Sequence, residues 1–117
     1  MSELYRKMQC FLGDEQKLME RMAGRLDLWE ECVGLFPRGE ILEEMDAALQ
    51  AGDTNALYGA VHRLKGNLAN FGFDSAAELA MKVLAALKED DLVTAKEGYL
   101  QLRTIYAQIA ERLGDAE

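Results

Sequence analysis

The sequence predicts an all-α fold in which antiparallel helices pack as a bundle, and three observations carry that expectation. Leu, Ala, Glu and Met dominate a chain that is 50% hydrophobic with a single proline, a composition that favours helix. Two long apolar seams alternate steps of four and three residues: Leu57, Val61, Leu64, Leu68, Phe71, and later Ala95, Tyr99, Leu102, Tyr106, Ile109, Leu113. A stripe of that kind faces a partner helix. The breaks at 51–54, 72–74 and 89–91 are short enough to make sequential helices antiparallel neighbours. A chain of 117 residues forms one compact domain with one core. Within it, residues 1–24 read as a helical extension and residues 25–114 as the bundle.

Ser2 to Leu12 is expected to be a short helix, with Leu4, Tyr5, Met8, Phe11 and Leu12 on one side. Gly13-Asp14 breaks it, and Asp14 caps a second piece, Glu15 to Ala23, with Leu18, Met19 and Met22 on one face. These pieces are expected to cover one end of the bundle; the alternative is a docking arm for a partner. Asp27 followed by Glu30 resembles a helix start, and Leu28, Trp29, Cys32, Val33, Leu35 and Phe36 follow at helical spacing. Trp29 and Phe36 read as core. Pro37 lacks an amide donor and disfavours helix at Phe36, so the element kinks or divides there. Helix resumes near Gly39 and runs to Ala51 on Ile41, Leu42, Met45, Ala48 and Leu49. Gly52-Asp53 stops it and caps the next helix, Asn55 to Phe71, which Gly72 ends. Ser75 and Glu78 have the spacing of a capping box, opening a helix to Lys88 on Ala76, Leu79, Ala80, Val83, Leu84 and Leu87. Of the two aromatics flanking Gly72, Phe71 reads as core and Phe73 as part of an exposed docking patch. Asp90 or Asp91 caps the last helix, and Gly114 ends it.

The helix from Asn55 to Phe71 carries the only histidine of the chain, His62. At about 100° per residue, His62 falls roughly 140° from the centre of the apolar seam. It therefore points away from the core. Tyr58, Lys65 and Ala69 share its side, with Asn55, Gly59 and Gly66 slightly further round. A glycine inside a helix costs about 1 kcal/mol relative to alanine. Two of them beside one histidine are a local fault that packing does not explain, and such faults mark functional pressure. With no side chain at 59 or 66, another protein's surface can approach the imidazole closely.

An imidazole in water titrates near about pH 6.5, so at cell pH it is a competent nucleophile toward phosphorus without a general base. Lys65 lies on the histidine's turn, where a flexible ammonium suits phosphoryl oxygens as a point-charge partner. These residues point to His62 as a phosphorylated nucleophile, Lys65 as its charge partner and Gly66 as the opening for a partner. Tyr58, Gly59, Arg63, Ala69 and Phe73 are the expected partner-binding residues, with Leu68 as a further contributor.

The run Ala60-Val61-His62-Arg63-Leu64-Lys65-Gly66, then Ala69-Asn70-Phe71-Gly72, resembles the signature of histidine-containing phosphotransfer (HPt) domains. The resemblance extends from about Leu28 to about Leu113. It implies a four-helix bundle with the phosphorylated histidine exposed midway along one helix. It also implies a phosphorelay role in two-component signalling, passing phosphoryl groups to or from the aspartate of response-regulator receiver domains. Many relatives place Gln or Glu on the following helix against the imidazole. The aligned position here is Leu84, which cannot hydrogen-bond the ring.

The remaining sequence features narrow the function. A formal charge of −8 repels nucleic acid and anionic membranes, leaving His62, Arg63 and Lys65 as a small basic island. Cys10 and Cys32 form no CxxC pattern and read as reduced thiols of a cytoplasmic protein. No apolar run approaches the roughly 18 residues of a membrane span, and no charged-then-apolar leader is present. No Walker loop, ATP-binding glycine motif or acidic metal cluster occurs, so the expected protein is a phosphocarrier and not an enzyme with its own ATP site. It binds no metal or cofactor, and Mg²⁺ is expected in the partner receiver. Receivers and a sensor or hybrid histidine kinase are the expected partners of a monomer. Two alternatives stand beside this reading: a receiver-binding module that transfers nothing, and the phosphorylation domain of a larger, chemotaxis-type histidine kinase.

Overall fold

A computed structural model describes residues 3–34 and 40–115, the last two of them by backbone alone. The described residues hold seven α-helices and one 3₁₀ turn: α1 (Glu3–Met8), the 3₁₀ turn (Gln9–Phe11), α2 (Glu15–Arg21), α3 (Leu26–Val33), α4 (Glu40–Ala51), α5 (Thr54–Asn70), α6 (Asp74–Lys88) and α7 (Leu92–Asp115). Helices α4 to α7 form the four-helix bundle, each packed on the next, while α1 lies against α7 and α3. The expectations at Leu35, Phe36, Pro37 and Gly39 fall outside the described residues.

The ends of the helices are set by local chemistry. Asp14, Asp53 and Asp91 accept hydrogen bonds from the amides of Lys17, Ala56 and Thr94, which makes them N-caps of α2, α5 and α7. At the far end of α5, Gly72 adopts φ +85°. Its amide bonds Ala69 O (3.1 Å) and the Phe73 amide bonds Leu68 O (2.9 Å), the paired closure of a Schellman motif. Two expected starts differ. Helix α6 opens at Asp74 with no side-chain cap, so Ser75 and Glu78 form no capping box. The reason is tertiary: the Asp74 carboxylate, in the first turn, accepts from the Asp14 amide across the chain at 2.9 Å. Helix α3 opens at Leu26, and Asp27 in its first turn pairs with Arg25 at 2.9 Å instead of capping.

The core follows the two seams. Leu57, Val61, Leu64 and Leu68 meet Ala76, Ala80 and Val83 from α6 and Tyr99, Leu102, Tyr106 and Ile109 from α7, all buried. Small residues bring the helices close: a Cβ on Gly98 of α7 would stand 3.1 Å from Val83 Cγ2. Between α7 and α4, Arg103 grips Asp46 (Nη2–Oδ2 2.9 Å), and the Tyr99 hydroxyl donates to the same carboxylate. The guanidinium holds Asp46 below the usual carboxylate range, opposed by burial and helped by the tyrosine.

Residues before Arg25 are built onto this bundle. Tyr5, Met8, Phe11, Leu18 and Met22 all enter the core. The Tyr5 ring meets Trp29 edge-on (centroids 5.3 Å), and its hydroxyl donates to Glu15 at 2.5 Å. Burial first, and then that carboxylate, push the phenol up to about 12.

Candidate functional site

Helix α5 presents its solvent face at His62, which is exposed, between Leu57 and Leu68 turned inward. The neighbouring positions are open. A Cβ added at Gly59 or at Gly66 would meet nothing within 4 Å. Tyr58 lies one turn before the histidine, its ring near-parallel to the imidazole at 6.2 Å and 21°. Lys88 of α6 reaches over the other partner of that stack, its Nζ 5.9 Å from the Tyr58 centroid. Leu84 and Met81 lie one and two turns before Lys88 on the same flank of α6, which packs on α5. Leu84 is 7% exposed, and its aliphatic side chain carries no hydrogen-bonding group. Met81 is 56% exposed.

The face therefore consists of His62 and Lys65, the small residues Gly59, Gly66 and Ala69, and an apolar margin of Tyr58 and Met81 with Lys88 beside it. Met81 and Lys88 were not among the residues the sequence singled out. Their signal was present, since 77, 81, 84 and 88 share one flank of α6, but nothing local says which flank reaches Tyr58.

Two expected partner-binding residues need correction. Phe73 is fully buried and cannot belong to an exposed patch. In the Schellman closure it occupies the position whose side chain folds back on the helix it follows, and it packs edge-on against Phe11 (6.5 Å, 87°). Phe71, expected in the core, is the more exposed of the pair. Leu68 is likewise fully buried. Arg63 is exposed as expected, and it pairs with Glu44 of α4 on the surface. By contrast Lys65, Lys88 and Arg21 have no carboxylate within ion-pair distance among the described residues.

A family model for the Hpt domain matches residues 39–112, well over half of the chain. The chain belongs to the Hpt domain family. No curated protein and no solved structure matches it. Hpt domains are phosphocarrier modules of two-component signalling, and this membership brings histidine phosphotransfer with receiver domains and kinases as partners. Among the described residues, no helix is long and apolar enough to cross a membrane, and no group of three His, Cys, Asp or Glu gathers as a metal site.

The match begins at residue 39, yet the preceding segments are bonded to the Hpt helices, at α7 through Arg112, at the start of α6 through Asp74 and above all at the C-terminal end of α5. Arg21 Nη1 donates to Ala69 O (2.6 Å) and Asn70 O (3.0 Å). Trp29 Nε1 donates to Phe71 O at 3.0 Å, and the Gly13 amide to Gly72 O at 3.0 Å. A helix end leaves carbonyls unsatisfied, and here side chains and amides from residues 13–29 take them up.

Proposed function

We propose that this Hpt domain is a phosphorelay intermediate in which His62 takes a phosphoryl group from the aspartyl phosphate of one receiver and passes it to the aspartate of another. The single observation behind this reading is the exposed imidazole with open space at 59 and 66 on the docking side. In the forward step the lone pair of the outer ring nitrogen attacks phosphorus in line. A P–N bond forms, the acyl P–O bond breaks, and the partner's carboxylate leaves with the electron pair. The reverse displacement regenerates the imidazole. Lys65 offsets the phosphoryl charge, and the partner brings Mg²⁺ in its own acidic pocket. Tyr58, Ala69 and Met81 supply an apolar margin from which water is excluded on docking, with Gly59 and Gly66 as the gap into which the partner fits. The protein acts as a monomer in the cytoplasm, without ATP chemistry of its own.

Leu84 supports a second reading, a receiver-binding module that transfers nothing, because an aliphatic side chain there cannot donate or accept a hydrogen bond to orient the ring. One experiment separates the two. The protein is incubated with phosphorylated receivers and scored for acid-labile, alkali-stable label. Transfer predicts label on the wild type and none on His62→Gln. Receivers that bind the wild type but leave it unlabelled would establish the binding module instead.

A further inference from the structure

The residues flanking the site carry an electrostatic pattern that the histidine motif does not contain. In a chain of net charge −8, Lys88, Lys65 and Arg21 lie on or beside α5 with no carboxylate partner among the described residues. Lys88 lies at the level of Tyr58. Arg21 lies at the level of Ala69 and Asn70, whose carbonyls it caps. The span from residue 58 to residue 70 is roughly 18 Å of helix axis, with His62 inside it.

Arg21 differs from the two lysines in how it is held. Two carbonyls bind Nη1, while its Nε and Nη2 donors make no hydrogen bond among the described residues and the side chain is exposed. A guanidinium pinned at one corner keeps its other donors aimed in a fixed direction. It loses little side-chain entropy when an anionic partner arrives. The sequence of α2 supports the same orientation. Leu18 packs inward against the Gly72 turn, Lys17 and Arg21 lie on one flank, and Glu15 lies on the other, bonded to Tyr5.

We propose that Arg21 is a specificity-determining contact for the acidic surface that surrounds the partner's phosphoryl-bearing carboxylate. On this view the helices preceding the family match extend the docking face beyond α5 and α6. The proposal rests on the phosphotransfer reading for the identity of the partner. Its chemistry is charge complementarity: Lys88, Lys65 and Arg21 meet the anionic rim of a pocket that holds a divalent cation.

The test uses the full chain and a panel of receivers activated with beryllofluoride, with affinity measured by calorimetry at low and at moderate salt. Arg21→Gln is expected to weaken binding about five- to tenfold at low salt and to flatten its salt dependence. Arg21→Lys is expected to restore most of the salt dependence. Arg25→Gln, which removes a guanidinium paired with Asp27, should bind as the wild type does. If Arg21→Gln lowers only the melting temperature, with affinity and salt slope unchanged, Arg21 is a structural cap and the proposal is overturned. Failure of every receiver to bind the wild type overturns it as well. Labelling with phosphoramidate, a small phosphodonor, runs beside this. A wild type that binds receivers but takes no label from phosphoramidate defeats the relay reading while leaving the Arg21 contact standing.

Discussion

The two halves of helix α5 are built on opposite principles. Around His62 the helix is surrounded by gaps: glycines with nothing in front of them, an exposed methionine, and lysines with no carboxylate partner among the described residues. Seven to ten residues later the same helix ends in a place where nearly every group is occupied. There Arg21, Trp29 and Gly13 take the terminal carbonyls, and Leu18 fills the turn at Gly72. The difference teaches how a helix keeps a reactive group available without becoming loose. Rigidity is supplied at the end, through long-range bonds, so that the middle can remain bare.

The largest effect that would break this contrast lies at the fastened end. A Cβ at Gly13 would stand 2.1 Å from Asp74 Oδ2 and 2.5 Å from Asp74 Cβ, atoms close to the backbone of α6. Gly13→Val is expected to cost about 3 kcal/mol through overpacking and loss of the Asp14–Asp74 bond, lowering Tm by roughly 10 °C. Thermal unfolding followed by circular dichroism measures it. An unchanged Tm would mean that residues 13–29 are not fastened as described.

At the bare middle the signs should separate. Gly66→Leu replaces a poor helix former at an open position, so stability should rise by about 0.5 to 1 kcal/mol. The same side chain blocks the approach to His62, and transfer from a phosphorylated receiver should fall at least about tenfold, which is roughly 1.4 kcal/mol of barrier. Rapid-quench labelling and a melting curve on one preparation test both. Wild-type transfer rates would remove the argument from access.

The smallest effect sharpens the comparison through pH. Asp46 has a folded pKa below its ordinary 3.8, so its pairing with Arg103 and Tyr99 contributes fully above that value. The contribution is lost as the pH falls through the depressed folded value. The stability gap between wild type and Asp46→Asn should therefore be constant near neutrality and narrow below about pH 4. Urea unfolding at several pH values reads that gap, and a gap that widened in acid would contradict the assigned pairing.

Much of this was legible in the chain itself, because it depended on short-range periodicity. The 4-3 seams, the Asp caps at 14, 53 and 91, and the exposed side of the His62 helix all follow from spacing and side-chain chemistry within a turn or two. Phe73 shows the limit of that reasoning. Flanking a glycine, it looked available; the Schellman closure at Gly72 turns it into the core, and the pattern of apolar residues on both sides of the glycine was the missed signal. Ser75 and Glu78 failed for a different reason. Their box was displaced by an earlier helix start at Asp74, whose carboxylate is bound to an amide 60 residues away.

Periodicity and local hydrogen-bonding chemistry alone determined that this is a helical bundle with one histidine turned to water between two glycines, since those forces act between residues close along the chain. Packing alone decided which flank of α6 reaches Tyr58, that Arg63 meets Glu44, and that Arg21 reaches the end of α5. These are contacts between segments far apart in sequence, and no local preference specifies which distant carbonyl or carboxylate a guanidinium will meet.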